Sequence, residues 1–189
     1  MNKILVLICI VIGFISCKND KQGLDKLQIA KQYYKILSNS DDSKIASLIN
    51  DSLLTRESEY NYEQTFSLEQ YKEWLKWDAK FEPKYEIIDI VVEGDVVKAQ
   101  ISKIDKRILF LHEEPIVSNQ VIRFDKDKIT SIETTQFVVF NDSLFVKNRS
   151  DLLNWMDENQ PNLKGFIYDQ TEEGAINYLK ALELYANRK

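Results

Sequence analysis

The chain is 189 residues long, 44% apolar and 29% charged, with 25 Lys and Arg against 30 Asp and Glu. That is the composition of an ordinary globular protein with chain enough for one hydrophobic core. Its mildly acidic, interspersed charge offers no basic stripe to neutralise phosphates, which excludes nucleic acid as a partner. With five glycines, two cysteines and one histidine, glycine-rich nucleotide loops and zinc sites are excluded too, and no cofactor or metal is expected.

Lys3 precedes an apolar stretch from Ile4 to Ile15, and Ser16 stands directly before Cys17. This is the layout of an export signal, and the stretch is shorter than the roughly 20 residues a membrane span needs. Ordinary cleavage sites want small residues, and Phe14 breaks that rule. Phe14-Ile15-Ser16-Cys17 instead resembles the bacterial lipobox. The resemblance implies that residues 1–16 are removed, that Cys17 carries lipid and that residues 17–22 form a tether. The protein would then be anchored in the cell envelope, on the periplasmic or surface side of a bacterial membrane. A plain secreted protein with a coincidental cysteine is the alternative. Cys9 leaves with the signal, so the mature body has neither a disulfide nor a cysteine nucleophile.

From Leu24 the periodicity becomes helical, with Leu27, Ala30, Tyr34 and Leu37 on one stripe. Ser38–Asp42 breaks the helix, and Ser43 is placed to cap a shorter one carrying Ile45, Leu48 and Ile49. Glu59-Tyr60-Asn61-Tyr62 alternates as a short strand would. Ser67 and Gln70 form a capping box for a helix running to about Asp78 and stopped before Pro83. Extended segments follow: Lys84–Glu93, a turn at Gly94-Asp95, then Val97, Ala99 and Ile101 alternating with polar residues. Ile108–Leu111 reads as a further strand, then come Ile116–Phe124, a turn at Asp125-Lys126-Asp127, and Lys128–Phe140. The turn lacks the glycine and distal glutamate of a calcium loop. Antiparallel pairing is expected throughout, with no helix among the later strands.

After Asn141 the pattern returns to helix. Ser150 can cap Asp151–Asn159, which Pro161 ends, and Thr171 can cap a last helix with Ala175, Tyr178, Leu182 and Tyr185 on one face. The expected organisation is therefore signal 1–16, tether 17–22, domain 23–141 and helical extension 142–189. Asp51-Ser52-Leu53 and Asp142-Ser143-Leu144 resemble a short bacterial O-glycosylation signal.

Ala30–Leu37, Ile45–Ile49 and Asp127–Ile132 resemble the first helix, second helix and last hairpin of the nuclear transport factor 2-like superfamily, which includes polyketide cyclases and ketosteroid isomerases. The resemblance implies an α+β fold, a cone-shaped curved antiparallel sheet around N-terminal helices, here with a helical C-terminal extension. It further implies an acid/base pair inside the cone wherever a member is catalytic.

Three residues are candidates for such chemistry. Asp78 falls within the apolar stripe of its helix near the C-terminus, where the dipole disfavours a carboxylate; it either faces the cone, or is solvated at a frayed helix end or paired with a nearby lysine. Tyr34 sits at a plausible first-helix position. His112 can act as a base near neutral pH, or can lie in a turn before Pro115. Trp74 with Tyr34, Asp78 and Gln136 forms the expected ligand-binding set, for a small apolar or sugar-like ligand or a protein partner. Thr134 and Gln136 are expected on one strand face, as are Ser118 and Gln120. The preferred function is a non-enzymatic envelope protein that binds a ligand or partner; the alternative is a small isomerase, cyclase or dehydratase. The last helix needs an apolar surface, and the sheet or its rim is the nearest candidate, which would leave the protein a monomer.

Overall fold

The computed structural model describes Gly23 and residues 25–188; the lipobox and tether, Cys17 included, lie outside the described residues. The elements in chain order are α1 (25–39), α2 (Ile45–Leu48), β1 (Ile49–Glu57), β2 (Tyr62–Ser67), α3 (Leu68–Ala79), β3 (Lys84–Glu93), β4 (Val96–Ile104), α4 (Lys106–His112), β5 (Ile116–Asp125), β6 (Lys128–Val139), α5 (Asp142–Asn159) and α6 (Glu172–Ala186). The strands make one six-stranded sheet in the order β2-β1-β6-β5-β4-β3.

The sheet curls around α1 and α3 into a cone. Ala30, Tyr33, Ile36 and Leu37 of α1 and Tyr71 and Leu75 of α3 are buried against Leu53, Val97, Ile101, Ile122 and Ile129 of the sheet. Period-2 burial is clean in β4, where Val97, Ala99 and Ile101 are inside. The capping box forms at α3: the Gln70 amide donates to Ser67 Oγ at 3.2 Å, and the Ser67 amide donates to Gln70 Oε1 at 2.8 Å. Two reciprocal bonds satisfy amides that the helix start otherwise leaves orphaned.

The structure corrects several local expectations. Ile108–Leu111 is helical, because Asp105 caps α4 by accepting from the Ile108 amide at 2.6 Å, and Ile108, Leu111 and His112 then fall on one buried face. A run of four apolar residues carries no period of its own. Thus one helix does interrupt the later strands. The sheet also carries one parallel pair, β1 with β6. Residues 59–61 form the tip of the β1–β2 hairpin, a 3-10 turn followed by Asn61 at φ 49°, rather than a strand. Ser43 caps nothing; its hydroxyl bonds Asp41 inside a 3-10 turn. Asn141, not Ser150, caps α5, so that helix begins a full two turns earlier than expected.

Thr171 does cap α6, accepting from the Gly174 amide at 3.1 Å. A Cβ on Gly174 would collide with the Asp169 backbone and side chain, so only glycine fits that turn. The extension packs on α3 and α4 rather than on the outer face of the sheet. Leu152, Met156, Ala175, Tyr178 and Leu182 close over Trp77 and Phe81, forming a second core. Those rings give the lobe a continuous apolar seat, whereas the strands' outer faces mix Lys98, Gln100 and Asn119 with Val91 and Val121. Among the described residues no helix is long and apolar enough to cross a membrane.

Candidate functional site

The cone is hollow. A cavity of about 330 Å³ opens between the C-terminal half of α1, α3 and the inner face of the sheet. Tyr33, Tyr34, Phe66, Tyr71, Trp74, Tyr85 and Phe137 give it aromatic walls, and Ser118, Gln120 and Thr134 add a polar strip. Exposed members of the lining, Arg56, Tyr62 and Gln170, mark the entrance. Gln170 comes from the loop before α6, so the extension contributes to the rim.

Hydroxyl pairing makes the tyrosine part of the wall polar without adding charge. Tyr34 donates to Gln120 Oε1 at 2.7 Å, and Gln120 Nε2 donates to Ser118 Oγ at 3.1 Å. The Tyr33 and Tyr71 hydroxyls bond each other. Burial pushes all four phenols, Tyr33, Tyr34, Tyr71 and Tyr85, well above the ordinary value of 10.0. They are therefore neutral at physiological pH, and donate or accept hydrogen bonds rather than serving as bases.

Asp78 is almost fully buried, and it does pair with a lysine. Its carboxylate accepts from Lys103 Nζ at 2.8 Å and from the Tyr85 hydroxyl at 3.2 Å, with Arg107 at 3.7 Å. Asp105 completes the cluster, 2.9 Å from Arg107 and 3.8 Å from Lys103. Two carboxylates and two cations cancel, and the geometry leaves neither acid unpaired. Arg107 also lies over Trp77 and Phe81, its guanidinium carbon 4.7 and 4.9 Å from their ring centres. Of this cluster only Lys103, 4.8 Å from the centre of the Tyr85 ring, reaches the cavity; Asp78 sits behind it.

His112 is buried elsewhere. Its Nδ1 lies 2.8 Å from the Glu114 carbonyl, and its Nε2 accepts from the Asn141 amide at 2.7 Å. With both nitrogens committed to backbone, the ring ties the end of α4 to the start of α5 and lies outside the cavity lining. Gln136 is also outside. Thr135 is an extra residue in the ladder, since Gln120 pairs with Thr134 and Asn119 with Gln136. This bulge turns Gln136 to the outer face, where its Oε1 accepts from Asn119 at 3.2 Å, which corrects the expectation that it shares a face with Thr134. Of the residues singled out from sequence, Tyr34 and Trp74 therefore line the cavity, while Asp78, His112 and Gln136 do not.

Glu57, which no sequence motif marks, also lines the cavity. It ends β1 beside Thr134 and opposite Tyr62, and desolvation alone raises its pKa above the ordinary 4.5. The signal was the alternation Leu53, Thr55, Glu57, visible only once β1 is recognised as a strand.

No known family profile matches the sequence, and no curated protein matches it. Solved structures do. A ketosteroid isomerase-like protein from Kribbella flavida superposes with a TM-score of 0.51 at 9% identity, covering 64% of this chain and 83% of that one. A polyketide cyclase-like protein from Acidithiobacillus ferrooxidans gives 0.50 at 13%, covering 66% and 93%. An LEH-like epoxide hydrolase from Mycobacterium tuberculosis gives 0.50 at 14%, covering 67% and 85%. At such identities the likeness speaks for architecture alone. The curved six-stranded sheet around its helices is the nuclear transport factor 2-like cone, carrying an added helical lobe.

Proposed function

We propose that this is a non-enzymatic, small-molecule-binding protein of the bacterial envelope, held to a membrane by lipid on Cys17. The observation that carries the binding reading is the cavity itself: aromatic walls, a hydrogen-bonded polar strip and a rim completed by the lobe. Such a concave, mostly apolar site with a few fixed polar groups is suited to a ligand smaller than a typical drug. Of the three acid/base candidates only Tyr34 reaches it, and acid/base catalysis needs two groups converging on one substrate atom.

Tryptophan fluorescence tests it, since Trp74 lies in the wall. Small aromatic and alicyclic compounds should change the emission saturably and raise the melting temperature, and Trp74→Phe should remove the optical signal while leaving the thermal one. Absence of both responses across a chemically broad set would overturn the reading. For the anchor, a fatty-acid probe should label the wild-type protein and not Cys17→Ser; an unlabelled wild type would refute it.

One observation favours a second reading. Glu57 is a partly desolvated carboxylate in a cleft, a common mark of an acid/base group. An isomerase, cyclase or dehydratase using Glu57 would show turnover that Glu57→Gln abolishes.

A further inference from the structure

The charges around the cavity are matched with one exception. Lys103 is neutralised by Asp78 and Asp105, and Arg56 by Glu63 at 2.7 Å. Glu57 has neither hydrogen bond nor ion pair among the described residues, and burial is the sole influence on its titration. Its oxygens keep some solvent contact, but no protein group meets them, so the hydration that partial burial removes from this carboxylate is not replaced locally. Gln64, Thr55 and Thr134 line the same wall without donating to it.

We propose that Glu57 is the recognition group for a ligand that carries a protonated amine on an aromatic or alicyclic body. This deepens the binding reading and rests on it. The amine would sit at the entrance against Glu57, where the aromatic residues Tyr62 and Phe137 belong to the same lining and an aromatic ring can favour a cation. The body would reach inward toward Tyr34 and Trp74, and about 330 Å³ admits one or two rings. Lys103 does not repel the amine, because its charge is already balanced. A carboxylate ligand would meet Glu57 head-on and be rejected, which gives the site selectivity by charge.

Calorimetric titration with three matched compounds tests this: 2-(1-naphthyl)ethylamine, the corresponding alcohol and the corresponding carboxylic acid. The amine should bind about tenfold more tightly than the alcohol, and the acid more weakly than either. Glu57→Gln, close in shape to the native side chain, should bring the amine down to the alcohol's affinity and leave the alcohol unchanged. The amine's advantage should also fade on acidification as Glu57 takes up a proton. If alcohol and amine bind alike in the wild type, or Glu57→Gln leaves the amine's affinity intact, the inference fails while the cavity reading stands. If none of the three binds, the inference fails, and the cavity reading is left to the broader set of compounds to decide.

Discussion

The two cores of this molecule are built from similar residues and serve opposite ends. The lobe core is solid. Tyr178 meets Phe81 and Phe166 edge to face, with centroids 5.4 and 5.0 Å apart, and Trp77 meets Phe81 in the same way at 5.0 Å. The cone core is just as aromatic but stays open, because its rings carry hydroxyls that find partners across the gap rather than filling it. An apolar hollow forfeits dispersion contacts, so an open site must be supported by packing elsewhere. The lobe supplies that packing, and the ion cluster of Asp78, Lys103, Asp105 and Arg107 joins the two regions.

Substitutions across the two regions should separate stability from binding. The largest effect is expected at the junction. Asp78→Ala leaves Lys103 and Arg107 short of a counter-charge in a buried setting and should cost about 3–5 kcal/mol, read by urea denaturation. An unchanged midpoint would show the cluster to be solvated and dispensable. Within the solid core, Leu152→Ala should cost about 3 kcal/mol and leave ligand affinity alone, because Leu152 is fully buried and away from the cavity. A large affinity loss in this variant would mean the two cores are coupled. In the hollow core the balance reverses: Tyr34→Phe removes one hydrogen bond to Gln120, should cost only about 1 kcal/mol, and should weaken ligand binding measurably. Equal affinity in the variant would take Tyr34 out of the site.

The smallest effect has the opposite sign. Burial raises the Glu57 pKa, so the native state holds this proton more tightly than the unfolded chain does. The associated stability is present below the ordinary value of 4.5 and is lost as pH rises through the native pKa. Glu57→Gln should therefore match the wild type in acid and melt slightly higher at neutral pH, by about a degree. Scanning calorimetry at both pH values decides it, and a lower neutral melting temperature would show that Glu57 has a stabilising partner.

What could be read from the chain follows from where each segment sits. β4 announces itself because Val97, Ala99 and Ile101 alternate cleanly before Lys103 ends the inner face, and α3 because Ser67 and Gln70 specify its start chemically. β1 does not, although its role is larger. Its sequence Ile-Asn-Asp-Ser-Leu-Leu-Thr-Arg-Glu turns Thr55 and Glu57 toward the cavity, so the alternation that marks a strand is diluted by the polar groups that line the cavity. Gln136 departs from the alternation for a different reason: one extra residue, Thr135, reverses the facing of the strand, and bulges leave no reliable trace in composition. Asp78 is legible as an anomaly, a carboxylate in an apolar stripe, but its charged partners, Lys103 and Arg107, lie 25 and 29 positions away in sequence and only the fold brings them together.

The direction of α1 has a consequence for how the molecule meets its surroundings. Its first turn is pinned by Lys26 donating to the Asp95 carbonyl at 3.1 Å, beside the β3–β4 turn. Its last turn is pinned by Ser38 donating to the Tyr85 carbonyl at 3.0 Å, roughly 18 Å further on at the helical rise. The entrance marked by Arg56, Tyr62 and Gln170 belongs to that far end. A chain moored through residues ahead of Gly23 would therefore stand on its closed base with its mouth turned to the water. Whatever it captures would arrive by diffusion from solution, not by lateral passage out of the bilayer.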